Sequence, residues 1–126
     1  VHVLRLILSG ALDRYPKLHI IVGHLGEAIP FMMNRLDVML PVKLTGLERP
    51  ISSYLRKNVS YTISGFNFIP PFLNLLLQVG IERIMFSSDY PYSSMSNARS
   101  FLQSLPLSSD DKEKIAHLNA ERLMQF

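Results

Sequence analysis

Three short runs of apolar and β-branched residues constrain this chain most: Leu18 to Val22, Asn58 to Ile63, and Ile81 to Phe86. Each is too short for a helix, and each is followed by a loop containing Gly or Ser and then by a helical pattern. Strands that alternate with helices read as parallel strands joined by helical crossovers, buried on at least one face. The expected order is therefore α, β, α, loop, β, α, β, α, α.

The helical segments have their own signals. Residues 1–13 place apolar side chains at Val3, Leu4, Leu6, Ile7, Leu8, Ala11 and Leu12, a broad stripe suited to packing on a sheet. A helix is expected over 26–40, with Pro30 in its first turn and Pro41 stopping it. Residues 41–50 read as a loop and 51–57 as one or two helical turns. Pro70-Pro71 opens a helix that Gly80 closes. Further helices are expected over 96–104 and from Ser108 to about Leu123, the latter with acidic residues in its first turn.

Three strands are few for an independent α/β domain, and a closed (β/α)8 barrel needs about 250 residues. The expectation is a single, incomplete domain over 1–126. It would supply about three βα units at the C-terminal end of a TIM-like barrel, with the other units upstream. The chain enters a helical pattern directly at Val1, so it is expected to be a piece that starts in the middle of a longer fold, its leader or first strand not among these residues.

In barrels and open parallel sheets alike, chemistry sits at the carboxyl ends of the strands. The first strand ends in Gly23-His24, with Glu27 one turn on; the second ends in Ser64-Gly65; the third ends in Ser88-Asp89. An imidazole at such a mouth binds a metal or moves a proton near neutral pH. A carboxylate binds a divalent metal or orients that imidazole. Read alone, His24 also suits a structural histidine, Asp89 a turn, and Glu27 a favourable helix N-terminus.

Composition removes other classes. There is no cysteine, so disulfides and thiolate chemistry are excluded, and any metal must be held by His, Asp or Glu. The net charge of +3 is spread without a basic stripe, which argues against nucleic acid. No apolar run approaches the roughly 18 residues of a membrane span. No signal peptide is recognisable, and a cytoplasmic location is expected.

Several motifs then occur in a telling order. They are L-R-L-I-L-S-G-A-L-D-R-Y-P-K-L at 4–18, G-H-L-G-E at 23–27, P-F-x-x-x-R at 30–35, S-D-Y-P at 88–91 and N-A-E-R-L at 119–123. Together they resemble the C-terminal part of the amidohydrolase-related, metal-dependent decarboxylases. This is the group of aminocarboxymuconate semialdehyde, γ-resorcylate and 2,3-dihydroxybenzoate decarboxylases. The resemblance implies a (β/α)8 barrel with one divalent metal, usually Zn²⁺ and in some members Mn²⁺ or Mg²⁺. It implies Asp89 as a metal ligand, His24 as a catalytic acid/base beside the metal, and Glu27 as the carboxylate partner of that histidine. It implies that Arg35 reaches a neighbouring subunit's site and holds a substrate carboxylate, in a homo-oligomer. Asn119 would be structural. Phe66 and Tyr90 flank the mouth, where they suit either an aromatic substrate or rim packing.

The implied reaction is non-oxidative decarboxylation of a hydroxybenzoate-like or related small carboxylic acid. An acid, His24 or Asp89, protonates the ring carbon, and CO₂ leaves. The family's E-x-H or H-x-H pair after the first strand and its histidine after the fifth are absent. His2, His19 and His117 do not replace them. A catalytic zinc normally has three protein ligands, so this chain alone is expected to be inactive. Two rivals remain at this stage: a metal-dependent hydrolase of a lactone or amide, and a non-catalytic truncated paralogue that acts as an interaction module.

Overall fold

The structure, a computed structural model, describes residues 1–125. Three strands, β1 (Ile20–Val22), β2 (Val59–Thr62) and β3 (Ile84–Met85), form one parallel sheet in the order β1-β2-β3. Ile20 pairs with Val59 and Tyr61 with Ile84. The expected parallel α/β arrangement is present, and its physical basis is visible in the central strand. Val59, Ser60 and Tyr61 are all buried, as a strand covered on both sides requires.

Side chains alternate across the sheet. Val59, Tyr61 and Ile84 join a core with Met33, Ile51, Tyr54, Leu55, Phe72, Leu75, Phe101 and Ile115, all from helices or turns on one face. These come from α3 (Ile29–Met39), α5 (Ile51–Lys57), α6 (Ile69–Val79), α7 (Met95–Ser104) and the C-terminal helical segment. The opposite face carries Ile21 opposite Ser60, and Ile21 is exposed.

Several boundaries differ from the sequence expectation. The first helix is two, α1 (His2–Leu8) and α2 (Ala11–Arg14), because Gly10 adopts φ +76° between them. The helix expected from 26 starts at Ile29, after a tight turn over His24–Gly26. Pro30 does lie in its first turn. The loop at 41–50 contains a short helix, α4 (Val42–Thr45), entered from Pro41 and ended by left-handed Gly46. In the third strand region, Ile81–Arg83 is a helical turn and only Ile84–Met85 pair.

The last helix runs as α8 (Ser109–Glu113), a wider π turn over Lys114–Leu118, and α9 (Asn119–Met124). Ser108 caps its start by accepting the Asp111 N–H at 3.2 Å. The π turn faces β3: the Phe86 N–H donates to Ile115 O at 2.8 Å. Asn119, almost fully buried, donates from Nδ2 to Ile81 O and Ile84 O, both at 2.8 Å. The helix thus satisfies backbone carbonyls of the segment that leads to Asp89.

Candidate active site

The carboxyl end of β1 turns sharply. His24, Leu25, Gly26 and Glu27 all have φ between +52° and +76°. Left-handed backbone costs a non-glycine residue about 1 kcal/mol or more, so three such residues in a row of four need compensation. Leu25 is fully buried, which anchors the turn. Gly26 N–H donates to Gly23 O and Glu27 N–H to His24 O, each at 2.9 Å. The His24 N–H donates across to Ser64 Oγ at 3.2 Å, and Ser64 in turn lies 2.9 Å from Thr62 Oγ1. Gly26 admits no other residue easily, because a Cβ there would sit 2.8 Å from the Tyr61 ring.

The end of β3 has the same character. Asp89 has φ +68°, its carbonyl accepts the Ser93 N–H at 3.0 Å, and buried Ser88 accepts the Tyr90 N–H at 3.2 Å. These two strained ends bring His24 and Asp89 together although 65 positions separate them. His24 Nε2 lies 3.3 Å from Asp89 Oδ2. On the other side of the ring, His24 Nδ1 lies 3.5 Å from Glu27 Oε1. The imidazole therefore stands between two carboxylates, with 43% of its side chain open to solvent. A neutral ring offers its single N–H to one carboxylate; an imidazolium offers one to each.

The other expected site residues fall nearby or further off. Tyr90 follows Asp89 and is largely exposed. Phe66 is half-buried against the core and meets Phe68 edge-on, with ring centres 5.6 Å apart. Arg35 is exposed on α3 and forms no ion pair with the trio among the described residues. A groove of about 360 Å³ opens beside the trio, lined by Leu25, Glu27, Pro30, Phe31, Pro70, Pro71 and Asn74.

The remaining histidines lie elsewhere. His2 is exposed on α1. His19 precedes β1, at the amino end of the sheet, and bonds Ser60 Oγ at 2.9 Å. Burial, and secondarily Arg83, hold its pKa below the usual histidine value. His117 sits on the C-terminal helix between Glu113 and Glu121. Among the described residues, no three His, Asp or Glu side chains converge as a metal would require. Asp89 is a single available carboxylate ligand, so these residues do not by themselves fit a catalytic metal.

The amidohydrolase family model matches residues 1–126. The chain belongs to the amidohydrolase family. It is 35% identical over 131 residues to γ-resorcylate decarboxylase of Rhizobium sp. (strain MTP-10005), a match covering all of this chain and 40% of that protein. The crystal structure of 5-carboxyvanillate decarboxylase from Sphingomonas paucimobilis superposes with a TM-score of 0.90 at 38% identity, over 97% of this chain and 38% of that one. A dihydroxybenzoic acid decarboxylase from Polaromonas sp. JS666, solved with bound manganese and the inhibitor 2-nitroresorcinol, gives a TM-score of 0.91 at 33% identity, over 98% and 39%.

This amidohydrolase chain thus spans about two fifths of the length of the relatives it matches. Its three parallel βα units correspond to part of a TIM-barrel decarboxylase, as the strand count implied. The relatives are carboxy-lyases by name, and manganese is the metal recorded in the Polaromonas structure. No described helix is long and apolar enough to cross a membrane.

Sequence reasoning named the second strand's end but not what it does. Ser64 holds the His24 backbone and Gly65 lies against both His24 and Asp89. The available signal was a Ser-Gly pair directly after a β-rich run, at the same mouth.

Proposed function

We infer that this chain is the site-bearing part of a longer, metal-dependent decarboxylase acting on a hydroxybenzoate-type aromatic acid. The observation that carries this reading is the 3.3 Å approach of His24 Nε2 to Asp89 Oδ2 at the carboxyl ends of β1 and β3. The similarity to three aromatic-acid decarboxylases supports it. The metal is divalent, with Zn²⁺, Mn²⁺ and Mg²⁺ as candidates; Asp89 contributes one ligand and residues outside this chain contribute the others.

His24 is the proton carrier. Glu27 keeps the ring oriented from the Nδ1 side, and Asp89 faces Nε2. The proton goes to the ring carbon that bears the carboxylate. As the new C–H bond forms there, the C–C bond to the carboxylate breaks, its electron pair returns to the ring, and CO₂ leaves. The exposed Arg35 guanidinium on α3 binds a substrate carboxylate in a second copy of the enzyme. Phe66 and Tyr90 pack on the aromatic ring of the substrate. A clamp of this kind on exposed Arg35 requires a homo-oligomer.

The test is CO₂ release by the complete metal-loaded enzyme from 2,6-dihydroxybenzoate and from 5-carboxyvanillate. Turnover of either supports the reading. Lactone cleavage without decarboxylation would assign the hydrolase reading instead, and inactivity toward all of these would leave an interaction module.

A further inference from the structure

Gly65 follows β2 at the mouth of the sheet, where the ends of β1 and β3 meet. A Cβ built on it would lie 3.1 Å from Asp89 Oδ2, 3.4 Å from Asp89 Cβ and 3.4 Å from His24 Cδ2. A methyl group at 65 is therefore crowded against Asp89 Oδ2 and reaches van der Waals contact with the His24 ring on its other side. The most crowded atom is the one that matters. Asp89 Oδ2 is the oxygen that faces His24 Nε2 at 3.3 Å, and moving it away from residue 65 changes that approach.

The partners have little freedom to retreat as units. His24 has φ +52° and Asp89 φ +68°, and the His24 N–H is fastened to Ser64 Oγ, one residue before Gly65. A side chain at 65 is therefore accommodated by the Asp89 carboxylate or the His24 ring turning, not by either backbone moving.

We propose that Gly65 is a positioning residue for the His24–Asp89 pair: the lack of a side chain there sets the separation of the two groups, and a side chain opens it. The kinetic consequence rests on the decarboxylase reading above; the geometric one does not.

Gly65 also has φ +64°, so replacing it strains the backbone as well. Gly46 separates the two effects. It has φ +73° and nothing within 4 Å of where its Cβ would be. Gly46→Ala therefore carries left-handed strain without the contact.

The experiment compares Gly65→Ala, Gly46→Ala and the wild type in the complete, metal-loaded enzyme. Crystal structures give the His24–Asp89 separation; steady-state kinetics use 2,6-dihydroxybenzoate and 5-carboxyvanillate. Both variants should lower Tm, Gly65→Ala at least as much as Gly46→Ala. Only Gly65→Ala should displace Oδ2 and lower kcat about tenfold or more, with KM changed less than about twofold. A kcat equal to that of Gly46→Ala, or an unchanged His24–Asp89 separation, overturns the proposal. If the wild type turns over neither acid, the decarboxylase reading fails and the crystallographic separation alone decides the role of Gly65. If Gly65→Ala does not fold, Gly65→Asn takes its place under the same criteria, because Asn accepts left-handed backbone and keeps the Cβ contact.

Discussion

The backbone N–H of His24 donates to Ser64 Oγ at 3.2 Å, tying the end of β1 to the end of β2. His24 is left-handed at this point, so the hydrogen bond helps hold a conformation the residue does not favour. Ser64→Ala leaves that N–H without its partner. A hydrogen bond of this kind contributes about 1 kcal/mol, so the complete enzyme should lose about fivefold in kcat if the loss falls on the positioned state. Steady-state kinetics beside Thr62→Val check this. Thr62 touches Ser64 but not His24, and its replacement should cost less.

His24 and Asp89 should separate cleanly under mutation. If His24 carries the proton, His24→Ala should lower kcat by about 10²–10⁴-fold while sparing metal content. If Asp89 is a metal ligand, Asp89→Ala should lower both. Metal analysis after dialysis, alongside turnover, reads the two effects. Near-normal kcat in His24→Ala would sink the acid/base assignment.

Arg35 is exposed on α3 and unpaired with the trio among the described residues, so its replacement should leave folding intact. If its guanidinium clamps a substrate carboxylate, Arg35→Ala should raise KM about tenfold or more with a smaller change in kcat. Mixing Arg35→Ala subunits with His24→Ala subunits tests whether the contact crosses between copies: restored activity in the mixture requires it.

Much of this was legible in the residues and some was not. The three strands, their parallel direction and their carboxyl-end residues follow from runs such as Ile20-Ile21-Val22 and Val59 to Thr62, the second of which is buried along nearly its whole length. Gly80 by its backbone freedom, Pro30 by its fixed φ and Ser108 by its hydroxyl mark helix ends, and they sit where expected. The turn at His24–Gly26 was not legible. Leu25 within it and Glu27 just after it are types that rarely take positive φ, and the conformation is held by Leu25 burial and the bond from the His24 N–H to Ser64. The π turn at Lys114–Leu118 likewise arises from a tertiary contact, between Ile115 and Phe86. The pairing of His24 with Asp89 joins distant positions, and spacing along the chain could place both at one mouth but not set their distance.

Asn119 carries a stability prediction. Its Nδ2 serves two carbonyls, part-buried Ile81 O and buried Ile84 O, while its own Oδ1 is buried without a partner. Asn119→Ala should cost about 2 kcal/mol, measured by urea unfolding, since a buried acceptor and a part-buried one lose their donor. Asn119→Asp should be no better, because it keeps the orphaned acceptor and loses the donor. A loss below that of an exposed control such as Gln103→Ala would contradict this account of the C-terminal helix.

His117 sets a pH dependence of known sign. Nε2 lies 2.7 Å from Glu113 Oε2 and Nδ1 lies 2.8 Å from Glu121 Oε1, so only the imidazolium donates to both. The hydrogen bonds to Glu113 and then Glu121 raise its pKa above the ordinary value of 6.5. Its contribution to stability is therefore full below pH 6.5 and is lost as the pH rises through the folded-state value. His19 has the opposite sign: burial lowers its pKa, so its contribution is present above 6.5 and lost on acidification. Elsewhere on this helix Lys114 pairs with Glu82 and Asp111, and Arg122 pairs with Glu82. Unfolding midpoints of the wild type and His117→Gln, measured from pH 6 to 8.5, isolate the His117 part. The wild type should lose its advantage over the variant as the pH rises. An advantage that is flat or grows across this range would mean that the two glutamates do not hold the ring in solution.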